Sequence, residues 1–474
     1  MISLPCAKGG GPSKMVEGLS KRKYEKGKRF FASLRMKSSK TNTYIKKDTT
    51  MLDIRYIREN TQYVKERLAA RGKNLDEQID KIIALDDERK ALILATETKK
   101  AEQNKINKSI PQMKKAGEDT TAIMAEMKAL AEQIKAEQVT LGEVEKELNY
   151  LLLITPNVPC DKVPVGKDAE DNVVVRSWGE PKQFEYEPKA HWDIGADLDI
   201  IDQPRGVKVA GTRFNFLKGA GAKLERALIS FYLDVNTGEG FKELMTPYLA
   251  NSKTLTGTAQ LPKFAEDMFK IENSDYYLIS TAEIPVTNYH ADEILEGEQL
   301  PLYYTAYTPC FRAEAGAAGR DTRGLIRVHQ FDKVEIVKFT KPEDSMEELE
   351  KLVAVPEKIL QALGLPYRVV VCCTGDMGGN QVMQYDLEVW MPSYNKYVEI
   401  SSCSNYWDYQ ARRANIKFKR EKGAKAEFVH TLNGSSLACP RALAAILENF
   451  QNEDGTVTVP EVLVPYMGGQ KIIK

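Results

Sequence analysis

Residues 311–335 read FRAEAGAAGRDTRGLIRVHQFDKVE. The stretch carries four arginines, a polar, glycine-rich middle and an acid toward each end. It joins two strand-like runs: 302–312, rich in Tyr and Thr, and 327–339, of alternating character. Alternate residues of a strand share a face, which predicts Arg327, His329, Phe331, Lys333 and Glu335 in one row. At about 3.3 Å per residue that row is roughly 26 Å long. A guanidinium, an aromatic ring and a carboxylate in that order suit an extended ligand with anionic, aromatic and cationic parts, such as a nucleotide laid beside an amino acid. The bland reading of such a charged pair is a solvated hairpin held by salt bridges. Two features weigh against it. The 315–324 connection is long and polar, and long ordered loops tend to be functional. Arginine also suits bidentate contacts to phosphate.

Outward from this pair, a helix is predicted over 219–236 and a strand over 241–247. Further strands are predicted at 276–281, 302–312, 327–339, 367–373, 384–391 and 397–403, several joined by hairpin-like connections such as 392–396. A late helix follows at 441–449, with Pro440 suited to its first turn. The expected fold is α+β: an antiparallel sheet flanked by helices, a catalytic domain over 183–474.

The N-terminal half reads differently. Residues 53–71 form a short amphipathic helix ending at Gly72. Leu75, Ile79, Ile82, Leu85, Leu92 and Ile93 begin a three-to-four spacing that Ile106 and Ile110 continue. Pro111 is expected to stop that helix. The turn 112–119 contains Gly117, and Ile123, Met127, Leu130, Ile134, Leu141, Val144, Leu148 and Leu151 line a return helix. Two narrow apolar seams predict an antiparallel coiled-coil hairpin. Some 35 residues at ~1.5 Å each would project it about 50 Å. Lys99, Lys100, Lys105, Lys108, Lys114 and Lys115 lie near its tip. A solvated face and a surface for a phosphate backbone explain them about equally well. The expected partition is an arm over 51–160 and a Pro/Gly/Asp-containing linker over 161–182.

At 474 residues the chain has room for two or three domains. Its formal charge is zero, but residues 1–50 carry a net +10 and the remainder a net −10. A body so charged does not hold nucleic acid by bulk charge and must use local basic patches. The seven cysteines (6, 160, 310, 372, 373, 403, 439) show no CxxC spacing, and the four histidines are scattered. This points to a reducing compartment and no zinc site. No apolar run reaches the length of a membrane span, and no phosphate-binding glycine loop of P-loop or Rossmann type occurs. Residues 1–50 are Lys-, Ser- and Gly-rich and are expected to be disordered. They lack an apolar signal core, their basic character permits a transit peptide, and the preferred reading is a start codon placed too early, with Met51-Leu-Asp as the natural beginning.

Three blocks together resemble the class II aminoacyl-tRNA synthetases, and in detail the bacterial-type seryl-tRNA synthetase family. The 219–236 helix with 241–247, including Pro247, is similar to motif 1, which in that family builds the dimer interface. Residues 311–335 are similar to motif 2. HTLNGSSLACPRALAAILEN, 430–449, is similar to motif 3, with Arg441 as its arginine. TAE at 281–283 and EISSCSN at 399–405 make the resemblance specific. The hairpin resembles the arm with which that family grips the long variable arm of serine tRNA. The resemblance runs from residue 51 to about residue 469.

The resemblance implies that serine's carboxylate attacks the α-phosphate of ATP, giving seryl-adenylate and pyrophosphate. A terminal ribose hydroxyl of tRNA(Ser) then takes the seryl group, and tRNA(Sec) is commonly served as well. It implies a homodimer in the cytoplasm with no membrane association, and Mg²⁺ with the ATP. Arg312 and Arg441 are the implied catalytic pair, at the α-phosphate and on the γ-phosphate side. ATP is expected along Arg312, Ala313, Glu314, Arg327, Val328, Phe331, Glu399, Ile400, Ser401, Ser402 and Arg441, with Phe331 stacked on adenine and Glu399 and Ser402 holding the Mg²⁺. L-serine is expected at Thr281, Ala282, Glu283, Arg312, Glu335, Asn433 and Ser435.

Glu399 and Ser402 are three apart and face opposite ways in a regular strand, so both reach one ion only with a bulge or strand end between them. Apart from the resemblance, EISSCSN is an ordinary edge strand and Thr281-Ala282-Glu283 a helix N-cap with an acid in its first turn. His329 and His430 are expected to be structural, because the attacking carboxylate is already ionised near neutral pH. Cys372 and Cys373 read as core. Two positions depart from the family pattern: Ala313 stands where Ser is common, and Pro440 where Gly is common. A synthetase-like ligase that loads a carrier protein is the main competitor, disfavoured by the intact hairpin. An inactive duplicate is disfavoured because the ATP arginines and serine-pocket acids are all present.

Overall fold

The computed structural model describes residues 53–314 and 323–474. The expectations for residues 1–50 and for the middle of the 315–324 connection lie outside the described residues. What is described lies within one compact unit, Thr50–Lys474.

The chain enters through two short helices, α1 (Ile54–Glu59) and α2 (Thr61–Ala69), where one was expected. Side chains divide them: the Asn60 amide donates to the Tyr56 carbonyl at 3.1 Å and the Thr61 hydroxyl to that of Ile57 at 2.8 Å. Such short polar side chains compete with the helical ladder. Gly72 follows in the left-handed region, φ 75°, as the expected stop.

The hairpin is α3 (Asp76–Lys115) and α4 (Thr121–Ile154). Pro111 does not end α3; the helix continues through it to Lys115. A proline costs about 3 kcal/mol mid-helix because it removes one N–H and crowds a carbonyl. One turn from the end, the carbonyl it displaces belongs to exposed Asn107, where water can serve it. The forty residues of α3 reach about 60 Å at ~1.5 Å each. The seam is tight at the base and thin outward. Ile79, Ile82, Val144 and Leu148 are buried with Val158, Tyr406 and Tyr409 of the body, whereas Ile106 and Ile110 are only half-buried. Lys99 is not a free tip cation: it pairs with Glu137 across the hairpin at 2.5 Å. Lys100, Lys105, Lys108, Lys114 and Lys115 are exposed.

The body is built on an eight-stranded sheet. Its strands are β1 (Val173–Trp178), β2 (Lys242–Glu243), β3 (Leu302–Phe311), β4 (Gln330–Thr340), β5 (Tyr367–Val371), β6 (Met383–Met391), β7 (Lys396–Trp407) and β8 (His430–Ala438). Their spatial order is β1-β5-β6-β7-β8-β4-β3-β2, antiparallel throughout except β2 against β3. Three differences from expectation stand out. The stretch read as linker contains β1, because the run VVV is β-branched and pairs with β5. The motif 1 strand shrinks to Lys242–Glu243, and Pro247 beyond it has no N–H to extend the ladder. Residues 430–438, read only as a motif, are a buried strand despite Gly434, where a Cβ would stand 2.7 Å from the Cys403 sulfur.

Helices α5 (Ala220–Gly238), α7 (Ser345–Leu363) and α9 (Cys439–Asn449) contribute to the main core, with Leu224, Leu228, Leu352, Ile359, Leu443 and Ile446 buried in it. The short helices α6 (Glu283–Thr287) and α8 (Tyr409–Ala414) lie between α5 and α7, and between α7 and α9, in the chain. Period-two alternation then sorts each strand: Val334 and Ile336 of β4 enter the core, and their neighbours face the opposite way.

Candidate active site

That opposite face floors a cavity of about 720 Å³, walled by parts of 260–268, 325–328 and 378–381. Phe331, Lys333 and Glu335 line it from β4, as the row predicts. Arg327 and Val328 also line it, but from the segment before the strand, which begins only at Gln330. His329 does not share the face. Its carbonyl accepts from the Arg312 N–H at 2.9 Å, its Nδ1 lies 3.0 Å from the Arg312 carbonyl, and its ring packs on Phe214.

One end of the cavity is acidic. Glu335, 1 % exposed, is held on both oxygens: Lys333 at 2.6 Å and Thr281 at 3.3 Å on Oε2, and the Asn433 amide at 3.1 Å on Oε1. The Tyr406 hydroxyl donates to Asn433 Oδ1 at 2.9 Å, which fixes the amide so that its NH₂ faces Glu335. Glu283 accepts from Gln410 at 2.6 Å, and Gln410 accepts from Thr431 at 2.7 Å. The Glu283 N–H donates to Thr281 Oγ1 at 3.2 Å, so this segment opens α6 and lines the cavity at once. Ser435 lines the same end.

Burial, and then the charge of Glu335, push the Glu283 carboxyl up to about 7, against the pull of Gln410 and Lys333. The folded value lies above the ordinary 4.5. Between these two values the folded state binds more protons than the unfolded chain, so this group's contribution to stability falls as pH rises through that window. The Tyr406 hydroxyl makes a simpler prediction. Tyr406→Phe strands Asn433 Oδ1 without this donor and is expected to cost about 1–3 kcal/mol of unfolding free energy, read by urea denaturation.

The other end is cationic. Arg312 reaches the Ser280 carbonyl through Nε at 3.4 Å and lies over the Phe331 ring at 5.2 Å. Arg327 pairs with Glu314 at 3.2 Å. Arg441, at the start of α9, donates to the Glu399 carbonyl at 2.6 Å and lies 3.4 Å from its carboxylate. The Glu399 side chain is half exposed to the cavity. Burial opposes its charge, but Arg441, Arg312 and Arg327 together hold it below the usual carboxylate range. The bulge that geometry demanded is there: Leu387 faces Ser401 but Glu388 faces Glu399, leaving Ile400 as the extra residue. Glu399 and Ser402 therefore line one cavity. The Ser402 hydroxyl donates to Asp386, whose carboxyl is raised by burial and by Glu399. An ionised carboxylate and an adjacent hydroxyl are oxygen donors of the kind a hard divalent cation takes.

Of the residues expected at the site, Ala282 and Ala313 do not line the cavity: Ala282 is fully buried, and the Ala313 N–H donates to the Asp267 carbonyl at 3.0 Å. Ile400 and Ser401 line it beside Glu399. His430 is buried away from it, pushed down to about 3 by burial and bonded to Ser345 at 2.9 Å. Cys372 and Cys373 are buried in or beside the core as expected. Sequence reasoning missed the roles of Lys333, Tyr406 and Gln410. Lys333 stood in the predicted row and could have been assigned by its alternation; the other two have no local signal, being placed by packing alone.

The family comparisons agree with this geometry. Residues 268–450 match the tRNA synthetase class II core domain (G, H, P, S and T), and residues 51–159 the seryl-tRNA synthetase N-terminal domain. A serine–tRNA ligase of Carboxydothermus hydrogenoformans is 57 % identical over 425 residues, 90 % of this chain and 100 % of that protein. One of Clostridium tetani is 55 % identical over 426 residues, again 90 % and 100 %. The crystal structure of seryl-tRNA synthetase from Pyrococcus horikoshii complexed with ATP superposes with a TM-score of 0.85 at 40 % identity, covering 89 % of this chain and 99 % of that one. With a hairpin, an antiparallel catalytic sheet and a cavity that is acidic at one end and rich in arginine at the other, the chain belongs to the seryl-tRNA synthetase family of class II aminoacyl-tRNA synthetases.

Proposed function

We propose that this protein activates L-serine with ATP and transfers it to tRNA(Ser). The observation that carries the reading is the polarity of one cavity: two buried carboxylates, Glu283 and Glu335, lie at one end and three arginines at the other. Serine's ammonium takes the acidic end. The held oxygens and amide of Thr281, Asn433 and Ser435 give its hydroxyl hydrogen bonds that an analogue without one forfeits, leaving buried polar groups unpaired. The serine carboxylate faces Arg312, already ionised and in need of no base. Its oxygen bonds to the α-phosphorus as the bond to the pyrophosphate oxygen breaks. Arg312 offsets the charge that gathers on the α-phosphoryl oxygens, and Arg441 and Arg327 hold the leaving phosphates. Phe331 presents its ring to adenine, with Glu314 near the exocyclic amine. The ribose hydroxyl of the tRNA 3′ end then attacks the seryl carbonyl, and AMP leaves.

Glu399 and Ser402 would hold Mg²⁺ against the phosphates, and the ion when bound supplies neutralisation of their charge. The hairpin, at 51–160 with the lysines 100, 105, 108, 114 and 115 exposed, takes the tRNA, and 183–474 is the catalytic domain. In this reading the protein acts as a homodimer in the cytoplasm. Among the described residues no helix is long and apolar enough to cross a membrane. Met245, in the motif 1 segment, is 95 % exposed and suits a partner's surface. tRNA(Sec) is a second acceptor in this reading.

Serine charging of tRNA(Ser), with tRNA(Sec) as a second arm, tests it. Stable transfer of labelled serine to the tRNA is expected; transfer of another amino acid in preference would overturn the reading. Glu283 adds a pH signature. The kcat/KM for serine should rise as pH passes from about 6 to about 8, up to roughly tenfold per unit below the group's value, because only the ionised form attracts the ammonium. Glu283→Gln should lower activity and flatten that rise.

A further inference from the structure

The cavity has a third wall, distinct from its acidic and arginine-rich ends. Gln260, Phe264 and residues 378–381 form it. The N-terminal region pins this wall in place. The Arg71 guanidinium donates to the carbonyls of Asn157 at 3.0 Å, Gly378 at 3.0 Å and Gln381 at 2.6 Å. The Asn157 amide donates to the Asn380 carbonyl at 3.0 Å, and the Thr374 hydroxyl to that of Ala70 at 2.6 Å.

Lys263 lies against this pinned loop. Its Nζ stands 2.5 Å from where a Cβ on residue 379 would be, so the glycine there leaves room for it. Among the described residues neither Lys263 nor Lys73 has a carboxylate partner, and Arg71 gives its donors to carbonyls. Burial, and then the charges of Lys73 and Arg71, push the Lys263 ammonium down. Three cations without a counter-acid at the rim of a catalytic cavity are unfavourable to one another, and Lys263 and Lys73 are both exposed, Lys263 with its ammonium over the Phe264 ring at 5.2 Å. An incoming anion relieves that repulsion.

We propose that Lys263 and Lys73 form a phosphate subsite at the mouth of the cavity that takes the phosphodiester backbone of the tRNA 3′ end, on a wall that Arg71 positions. The inference rests on the serine–tRNA reading. The same chemistry could serve ATP or pyrophosphate, but three arginines already occupy the opposite end of the cavity, and Lys263 and Lys73 do not line it.

The two sources separate by step. Serine-dependent pyrophosphate exchange involves no tRNA, whereas charging of a tRNA(Ser) transcript does. In the full-length protein, Lys263→Ala should leave exchange and its KM for ATP and pyrophosphate within about twofold. It should lower kcat/KM for the tRNA about tenfold and reduce the salt slope of charging by roughly 0.7, the share of one contact to a single strand. Lys263→Arg should retain most charging. Lys73→Ala, on an exposed side chain, should shift charging the same way and gives the same reading should Lys263→Ala fail to fold. Charging equal to wild type in Lys263→Ala or Lys73→Ala overturns the subsite, as does a parallel loss of exchange. Wild-type protein that exchanges with serine but charges no tRNA would overturn the serine–tRNA reading itself; wild-type charging with unaffected variants overturns the subsite alone.

Discussion

Arg312→Ala is expected to abolish serine-dependent pyrophosphate exchange, by about a thousandfold or more, while the protein remains folded. The size follows from the position. The guanidinium reaches the Ser280 carbonyl, next to Thr281 of the acidic end, and also acts on Glu399 of the arginine-rich end; loss of one such preorganised donor where charge develops costs about 10²–10³ in rate. Here the same group would also orient the attacking carboxylate, which adds to the loss. Among the described residues the fold has little stake in the side chain: it makes one long bond to the Ser280 carbonyl at 3.4 Å and a face contact with Phe331 at 5.2 Å. Thermal unfolding should therefore shift little. Arg312→Lys keeps the charge without the fork and should recover only part of the rate. Exchange that survives Arg312→Ala within about tenfold of wild type would remove Arg312 from the chemistry.

The second large effect is expected from shortening the hairpin. Removing all of it is too blunt, because its base is part of the body: Ile79, Ile82, Val144 and Leu148 are buried against Val158, Tyr406 and Tyr409. Replacing 93–140 by a short turn keeps that base. The pairing of Lys99 with Glu137 shows that the two cut ends lie opposite each other. The variant should fold and exchange pyrophosphate within about threefold of wild type. Its kcat/KM for tRNA(Ser) should drop by roughly two orders of magnitude, equivalent to about 2.7 kcal/mol. This result also decides against a carrier-protein ligase, for which the hairpin is dispensable. Undiminished charging would remove the hairpin from tRNA binding.

Much of this architecture is legible because it follows short periods. Period two places Phe331, Lys333 and Glu335 on one face, and the three-to-four spacing of apolar residues draws both arms of the hairpin. The need for a bulge between Glu399 and Ser402 is also readable, since residues three apart face opposite ways in a regular strand; the structure supplies it at Ile400. Other features depend on context. Pro111 reads as a stop, yet near an exposed helix end its cost is bearable. His329 follows the period on paper but falls before the strand begins, so the alternation does not reach it. The hydrogen bonds that set the acidic end, Gln410 to Glu283 and Tyr406 to Asn433, join residues 127 and 27 positions apart. No local pattern announces them; they exist only once α8 and β7 are packed against α6 and β8. The Arg71 bonds to the 378–381 wall are of the same kind, at separations above three hundred residues.

The central claim is that one cavity selects serine at its acidic end and activates it at its arginine-rich end. ATP–pyrophosphate exchange measured across the twenty amino acids tests it most directly. Exchange dependent on serine, and weaker by orders of magnitude with alanine, which lacks the hydroxyl, and with threonine, which adds a methyl group, is the predicted result. Absence of exchange with serine, or stronger exchange with any other amino acid, would contradict it.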